Sequence, residues 1–244
     1  MTPPLYRATG AVLLLELLLI VVPNFILEAV FEFPDVLRQP AEDVLTLFRQ
    51  NQATIVPTYY AFALSGVLFA VVALLLYHVL QPAKPSVLLR AATLFGVLTA
   101  VVQFLGFIRW PFLVPELVRI YFDPASSEAT RAAVLVVHEA FNRYAGVAVG
   151  ENLGFVFTGL WLVLLGVYLV RGRSKVLKPW AGYTALTLGV FVLVSTLEQF
   201  GFEPPFVSLS FLVGYGGFVT ALLILGVTLL FRRGSPVPVS EARA

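Results

Sequence analysis

Six stretches of the chain are apolar for long enough to cross a bilayer, at about residues 8–30, 54–80, 88–108, 146–170, 180–200 and 206–231. A spanning helix needs roughly 20 mostly apolar residues. The pattern therefore predicts an all-α membrane protein: one six-helix transmembrane domain over residues 1–233, followed by a disordered cytoplasmic tail, 234–244, rich in Pro and Ser. The first segment carries Glu16 and no small-residue cleavage site follows it, so it reads as a retained helix.

The polar positions between the segments set the orientation. Arg7, Lys84, Arg90, Arg171, Arg173, Lys175, Lys178, Arg232 and Arg233 all fall at one end of a six-span bundle. Basic loops stay cytoplasmic, which places both termini inside. Apart from Glu16 and Glu241, every Asp and Glu falls at the other, outer end.

The outer loops carry helical patterns of their own. Val44, Leu45, Leu47 and Phe48 alternate with charge at helical spacing, predicting an interfacial amphipathic helix from about Ala41. The second outer loop is expected to begin at a break at Trp110–Pro111. Ser126 or Ser127 then reads as an N-cap, with Glu128 in the first turn. A helix from Glu128 to Val170 would run roughly 60 Å at 1.5 Å per residue, about twice the hydrocarbon core. It must project or break, and the expected break is Tyr144 to Gly150.

Composition sharpens this picture. The chain is 59% hydrophobic and 12% charged, against roughly 25% charged in a soluble domain. The lipid bilayer is its first partner and the cell membrane its expected location. The absence of Cys removes disulfides, thiolate zinc sites, iron–sulfur clusters and Cys nucleophiles. No basic run suggests nucleic acid.

Candidate chemistry concentrates at the outer end. Arg109 closes the third segment. His138, Glu139, Asn142, Arg143, Glu151 and Asn152 lead into the fourth, and Glu198 and Gln199 end the fifth. A charge deep in a bilayer costs roughly 2.5–3.5 kcal/mol even on insertion scales. Facing one another, these nine residues would form a polar pocket with Phe104, Phe107, Phe155 and Phe200 as its apolar lining. The bland alternative is helix-end polarity, with Arg109 and Arg143 reaching headgroups and Trp110 anchoring the interface.

Other motifs exclude more than they identify. The run from His138 to Asn142 lacks the second His of a metalloprotease helix. A mixed site from His138, Glu139, Glu151 and Glu198 stays open but has one His behind it, so neither metal nor cofactor is expected. His78 and His138 fall on opposite membrane faces, which argues against bis-His haem. Gly146, Gly150 and Gly154 are spaced for close helix packing, with Gly214, Gly217 and Ala221 as a candidate facing surface. Glu16, alone among leucines, is either a proton site or a hydrogen-bonding group for a neighbouring helix.

The run from Arg109 to Gly154, clearest at Arg109-Trp110-Pro111 and from Tyr144-Ala145-Gly146 to Gly150-Glu151, resembles a bacterial family of multi-pass membrane proteins catalogued only as a domain of unknown function. The resemblance implies fold and membrane location and supplies no activity.

Three functional readings follow. The first is binding or transport of a small or amphiphilic molecule, with Arg109 and Arg143 on its anionic group. The second is an enzyme acting on a lipid or isoprenoid, with His138 or Glu139 as acid–base and Arg109 on a phosphate. The third is a non-enzymatic accessory subunit of a membrane-protein complex, in which the polar set is structural.

Overall fold

A computed structural model describes residues 3–80, 86–172, 174, 176–202 and 204–232. Lys84, Arg173, Lys175, Glu203, Arg233 and the expected tail 234–244 lie outside the described residues. Among those described, every regular element is helical, and six helical runs are long and apolar enough to cross a membrane. The protein is an all-α multi-pass membrane protein.

The first span is α1 (Pro3–Phe31) and the second α2 (Ala41–Leu80), joined through a 3-10 turn at Asp35–Arg38. The third run is α3 (Val87–Phe107), extended by two short helices, α4 (Arg109–Phe112) and α5 (Val114–Tyr121). The fourth begins with α6 (Glu128–Phe141), passes through a π-helical segment at Asn142–Leu153 and continues as α7 (Gly154–Val170). The fifth is α8 (Pro179–Ser195), ending in a 3-10 turn at Thr196–Phe200. The sixth is α9 (Pro205–Phe211), a π turn at Leu212–Gly216 and α10 (Gly217–Leu230).

Consecutive spans are neighbours, and the sixth returns to pack on the first through α10 and α1, so the six form a closed ring. Its interior is filled by two apolar clusters. One, around Leu13, Phe69, Trp161, Phe218 and Leu222, fills the half bearing Arg7 and Arg171. The other, around Phe31, Phe48, Tyr59, Trp110 and Val134, lies beneath the loops of the opposite end, called here the capped end. Leu18, Phe25, Val67 and Ile224 point outward and are largely exposed, as expected where the surrounding solvent is hydrocarbon. Several buried Ser and Thr hydroxyls are satisfied locally: Thr9, Thr99 and Ser65 each donate to a carbonyl of the preceding turn, the usual solution where no water is at hand.

The capped end departs from expectation in three places, each for a visible reason. The amphipathic helix from Ala41 exists, but it runs into the second span as one 40-residue helix, kinked at Asn51 (φ −120°, ψ 16°). Its apolar residues Val44, Leu45 and Phe48 pack on protein, against Phe31 and Trp110. Trp110–Pro111 does not break the third run, because α4 restarts there and Pro111 falls in its first turn, where the missing N–H has no helical partner anyway. Tyr144 to Gly150 is where a break is expected. There the helix widens into a π segment of 12 residues instead of breaking. The N-cap expectation holds at Ser127, whose hydroxyl accepts from Thr130 N–H at 3.1 Å.

Candidate functional site

Eight of the nine candidate residues separate into three groups around the π segment. A π-helix closes i→i+5 bonds and is found frequently at functional sites. Here it turns different side chains inward and outward along Asn142–Leu153.

The inward group is Arg109, His138 and Asn142. Arg109 is 9% exposed and Trp110 beside it 1%. Nη2 of Arg109 donates to Asn142 Oδ1 at 3.0 Å, Nη1 donates to the Gly106 carbonyl, and the guanidinium lies 5.0 Å from the Trp110 ring. Asn142 completes the link by donating to the Leu37 carbonyl at 2.9 Å. The arrangement depends on glycine. A Cβ on Gly146 would stand 2.5 Å from Arg109 Nη2, and one on Gly150 would stand 3.0 Å from Gly106 Cα. Gly146, Gly150 and Gly154 thus face the third run. Gly214 and Gly217, expected to oppose them, pack instead on Val192 and Leu188 of α8. Ring order accounts for the difference, because Gly146, Gly150 and Gly154 lie against the third run while Gly214 and Gly217 lie against α8, which precedes the sixth span in the ring.

Trp110 is not an interfacial anchor. It stacks on Tyr59 at 4.9 Å and on Phe48 at 6.2 Å, with Phe31 edge-on at 5.1 Å and His138 at 6.2 Å. Among the described residues, His138 Nδ1 and the Tyr59 hydroxyl have no hydrogen-bond partner.

The second group is Glu151 and Glu198, and both are held by one residue. Arg38 reaches Glu151 at 3.0 Å and Glu198 at 3.3 Å, tying the first loop to the fourth and fifth spans. Partial burial alone would lower the Arg38 pKa. The two carboxylates more than offset this and hold it above its ordinary value. With the Asn142–Leu37 bond, Arg38 makes the 3-10 turn a strap across the capped end.

The third group, Arg143, Asn152 and Gln199, lines an open cleft of about 440 Å³ between the π segment and the turn at Thr196–Phe200. Tyr144, Val147 and Phe200 supply most of the remaining wall, with two alanines. Among the described residues Arg143 is the one charged side chain lining it. Gln199 is 9% exposed, and among the described residues neither atom of its amide has a partner.

Glu139 is exposed and joins none of these groups. Of the expected apolar lining, Phe200 reaches the cleft, whereas Phe107 stacks on Phe62 at 4.1 Å and Phe155 packs on Tyr215 at 4.8 Å. Among the described residues no group of three His, Asp or Glu side chains is placed to hold a metal. His138, Glu139, Glu151 and Glu198 are therefore not gathered into one. Glu16 is 1% exposed, and its Oε2 lacks a partner among the described residues.

Sequence reasoning missed Arg38, Tyr59 and Tyr215. Arg38 stands between Pro34 and Pro40, and that bracketing was a usable sign of a fixed turn. Tyr59 and Tyr215 sit in apolar helices with nothing to distinguish them, yet Tyr215 accepts from Gln103 at 3.5 Å in the interior.

No curated protein and no solved structure matches the chain. The model of one family, described as Domain of unknown function (DUF4386), matches residues 8–232. That match covers all six spans and the polar segment between Arg109 and Gly154, and the chain belongs to the DUF4386 family.

Proposed function

We propose that this protein binds an anionic amphiphile in the cleft between the π segment and the 196–200 turn, with the capped end facing outward. The observation that carries the reading is the charge of the cleft. Among the described residues Arg143 lines it and no carboxylate does. Around that single cation the walls are apolar and aromatic, and Tyr144 and Phe200 are 71% and 76% exposed. A cationic point beside apolar walls at a helix end suits a molecule with a charged head and a hydrocarbon body. The other two groups supply rigidity: Arg109 and Asn142 fix the inner face of the π segment, and Arg38 fixes the two spans that flank the cleft. The outward orientation is supported by Arg7, Arg90, Arg171, Lys178 and Arg232, all at the far end of the ring.

The test is native mass spectrometry on protein extracted in mild detergent with nothing added. The reading expects a retained mass of an acidic amphiphile that Arg143→Gln reduces about tenfold, the effect of removing one charge-assisted contact. Equal retention by wild type and Arg143→Gln would overturn it.

A further inference from the structure

Resting on that reading, we infer that the headgroup taken by the cleft is a phosphodiester bearing free hydroxyls, as in a phosphatidylglycerol-type lipid. The argument comes from the neutral polar groups of the cleft. Gln199, on the turn at Thr196–Phe200, is nine-tenths buried, and its Nε2 and Oε1 are shut off from solvent and without a partner among the described residues, so the proposed headgroup meets them when the side chain turns into the cleft it lines. A buried amide left unpaired costs about 1–3 kcal/mol for each unsatisfied group, so a group bound in the cleft that fills those bonds recovers that cost. The amide offers one donor edge and one acceptor edge together. Asn152, also in the lining, offers a second amide of the same kind.

The set selects by elimination. A bare phosphate monoester presents acceptors and would use Arg143 and the two Nδ2/Nε2 donors, leaving the amide oxygens unmet. An ammonium headgroup brings a positive charge, and among the described residues the cleft has Arg143 and no carboxylate to receive it. A hydroxyl both donates and accepts, so a polyol phosphate satisfies the guanidinium with its phosphate and the amides with its hydroxyls. The acyl chains would then run along Val147 and Phe200 to the exposed apolar flank.

The experiment is a lipid titration of the full-length protein read by native mass spectrometry. It uses phosphatidylglycerol, phosphatidic acid and phosphatidylcholine of matched chains, with soluble glycerol phosphate as competitor. Wild type is expected to hold phosphatidylglycerol about threefold to tenfold more tightly than phosphatidic acid, the effect of one neutral hydrogen bond or more. Gln199→Leu, close in size and free of the unpaired amide, should weaken phosphatidylglycerol more than phosphatidic acid and so close most of the gap between them; an unchanged ratio would overturn the assignment to Gln199. Equal binding of the two acidic lipids in wild type would overturn the hydroxyl assignment while leaving the anionic-amphiphile reading in place. Binding no better than phosphatidylcholine would overturn both. Displacement by glycerol phosphate at the affinity of the lipid would assign the same chemistry to a soluble ligand and overturn the lipid.

Discussion

Gly146→Ala tests how the π segment is held. The new methyl group would stand 2.5 Å from Arg109 Nη2, 2.9 Å from Cζ and 3.1 Å from Asn142 Oδ1. A flexible side-chain end can usually move aside, but this one is buried and bonded to both Asn142 and the Gly106 carbonyl. Moving it sacrifices a hydrogen bond to a charged group, about 1.5–3 kcal/mol, and adds an overpacking cost of about 1–3 kcal/mol. Replacing a helical glycine by alanine returns about 1 kcal/mol. The expected net loss is roughly 1.5–5 kcal/mol. The assay is reversible unfolding in mixed micelles, run as a double-mutant cycle with Arg109→Met. With a flexible apolar chain at position 109 the alanine has no bonded guanidinium to displace, so its cost should shrink by about 1.5–3 kcal/mol. An identical cost in both backgrounds would show that Gly146 is needed for some reason other than Arg109.

Further predictions concern the strap, the aromatic core and the orientation. Arg38→Gln should cost about 1 kcal/mol in low salt, because its two pairs are partly exposed. Wild-type stability should fall with added salt toward that of the variant, and parallel salt curves would remove the strap's electrostatic role. Because the two carboxylates raise the Arg38 pKa, its contribution is complete below the ordinary Arg range and lost only as pH rises above it. Arg38 itself should therefore add no pH dependence near neutrality, and a neutral-range transition abolished by Arg38→Gln would contradict this. Tyr59→Phe removes a buried hydroxyl without a partner among the described residues and should leave stability unchanged or raise it by about 1 kcal/mol; a clear loss of melting temperature would reveal a partner for that hydroxyl. For orientation, Cys at Ala129 should react with impermeant reagents applied outside intact cells and Cys at Lys178 should not; the reverse labelling would invert the protein.

The spans were legible because each is a long apolar run whose ends are marked by charge, a signal that needs no tertiary information. The N-cap at Ser127 and the irregular stretch after Tyr144 were legible for a similar reason: capping chemistry and helix length are local. The site was only partly so. Arg109, Asn142, Glu151 and Glu198 stood out as polar groups in an apolar chain, but their partners depend on how the ring closes. Glu151 and Glu198 are 47 residues apart by their numbering and both meet Arg38, a residue that looked like ordinary loop charge. Arg109 and Arg143 were read as a pair, yet the π segment sends Asn142 inward to Arg109 while Arg143 faces the cleft. Such a widening shifts the face each residue occupies, and periodicity counted at 3.6 residues per turn cannot register it. Trp110 followed the statistics of interfacial tryptophan, and the statistics lost to a stack of aromatic rings contributed by α1 and α2.

The most direct test of the central claim is a crystal structure of the protein grown from bicelles doped with an acidic lipid. The account predicts elongated density between the π segment and the turn at Thr196–Phe200, with its head at Arg143 and Gln199 and its tail along Val147 and Phe200. A cleft holding only water, with acidic lipid ordered elsewhere on the ring, would contradict it.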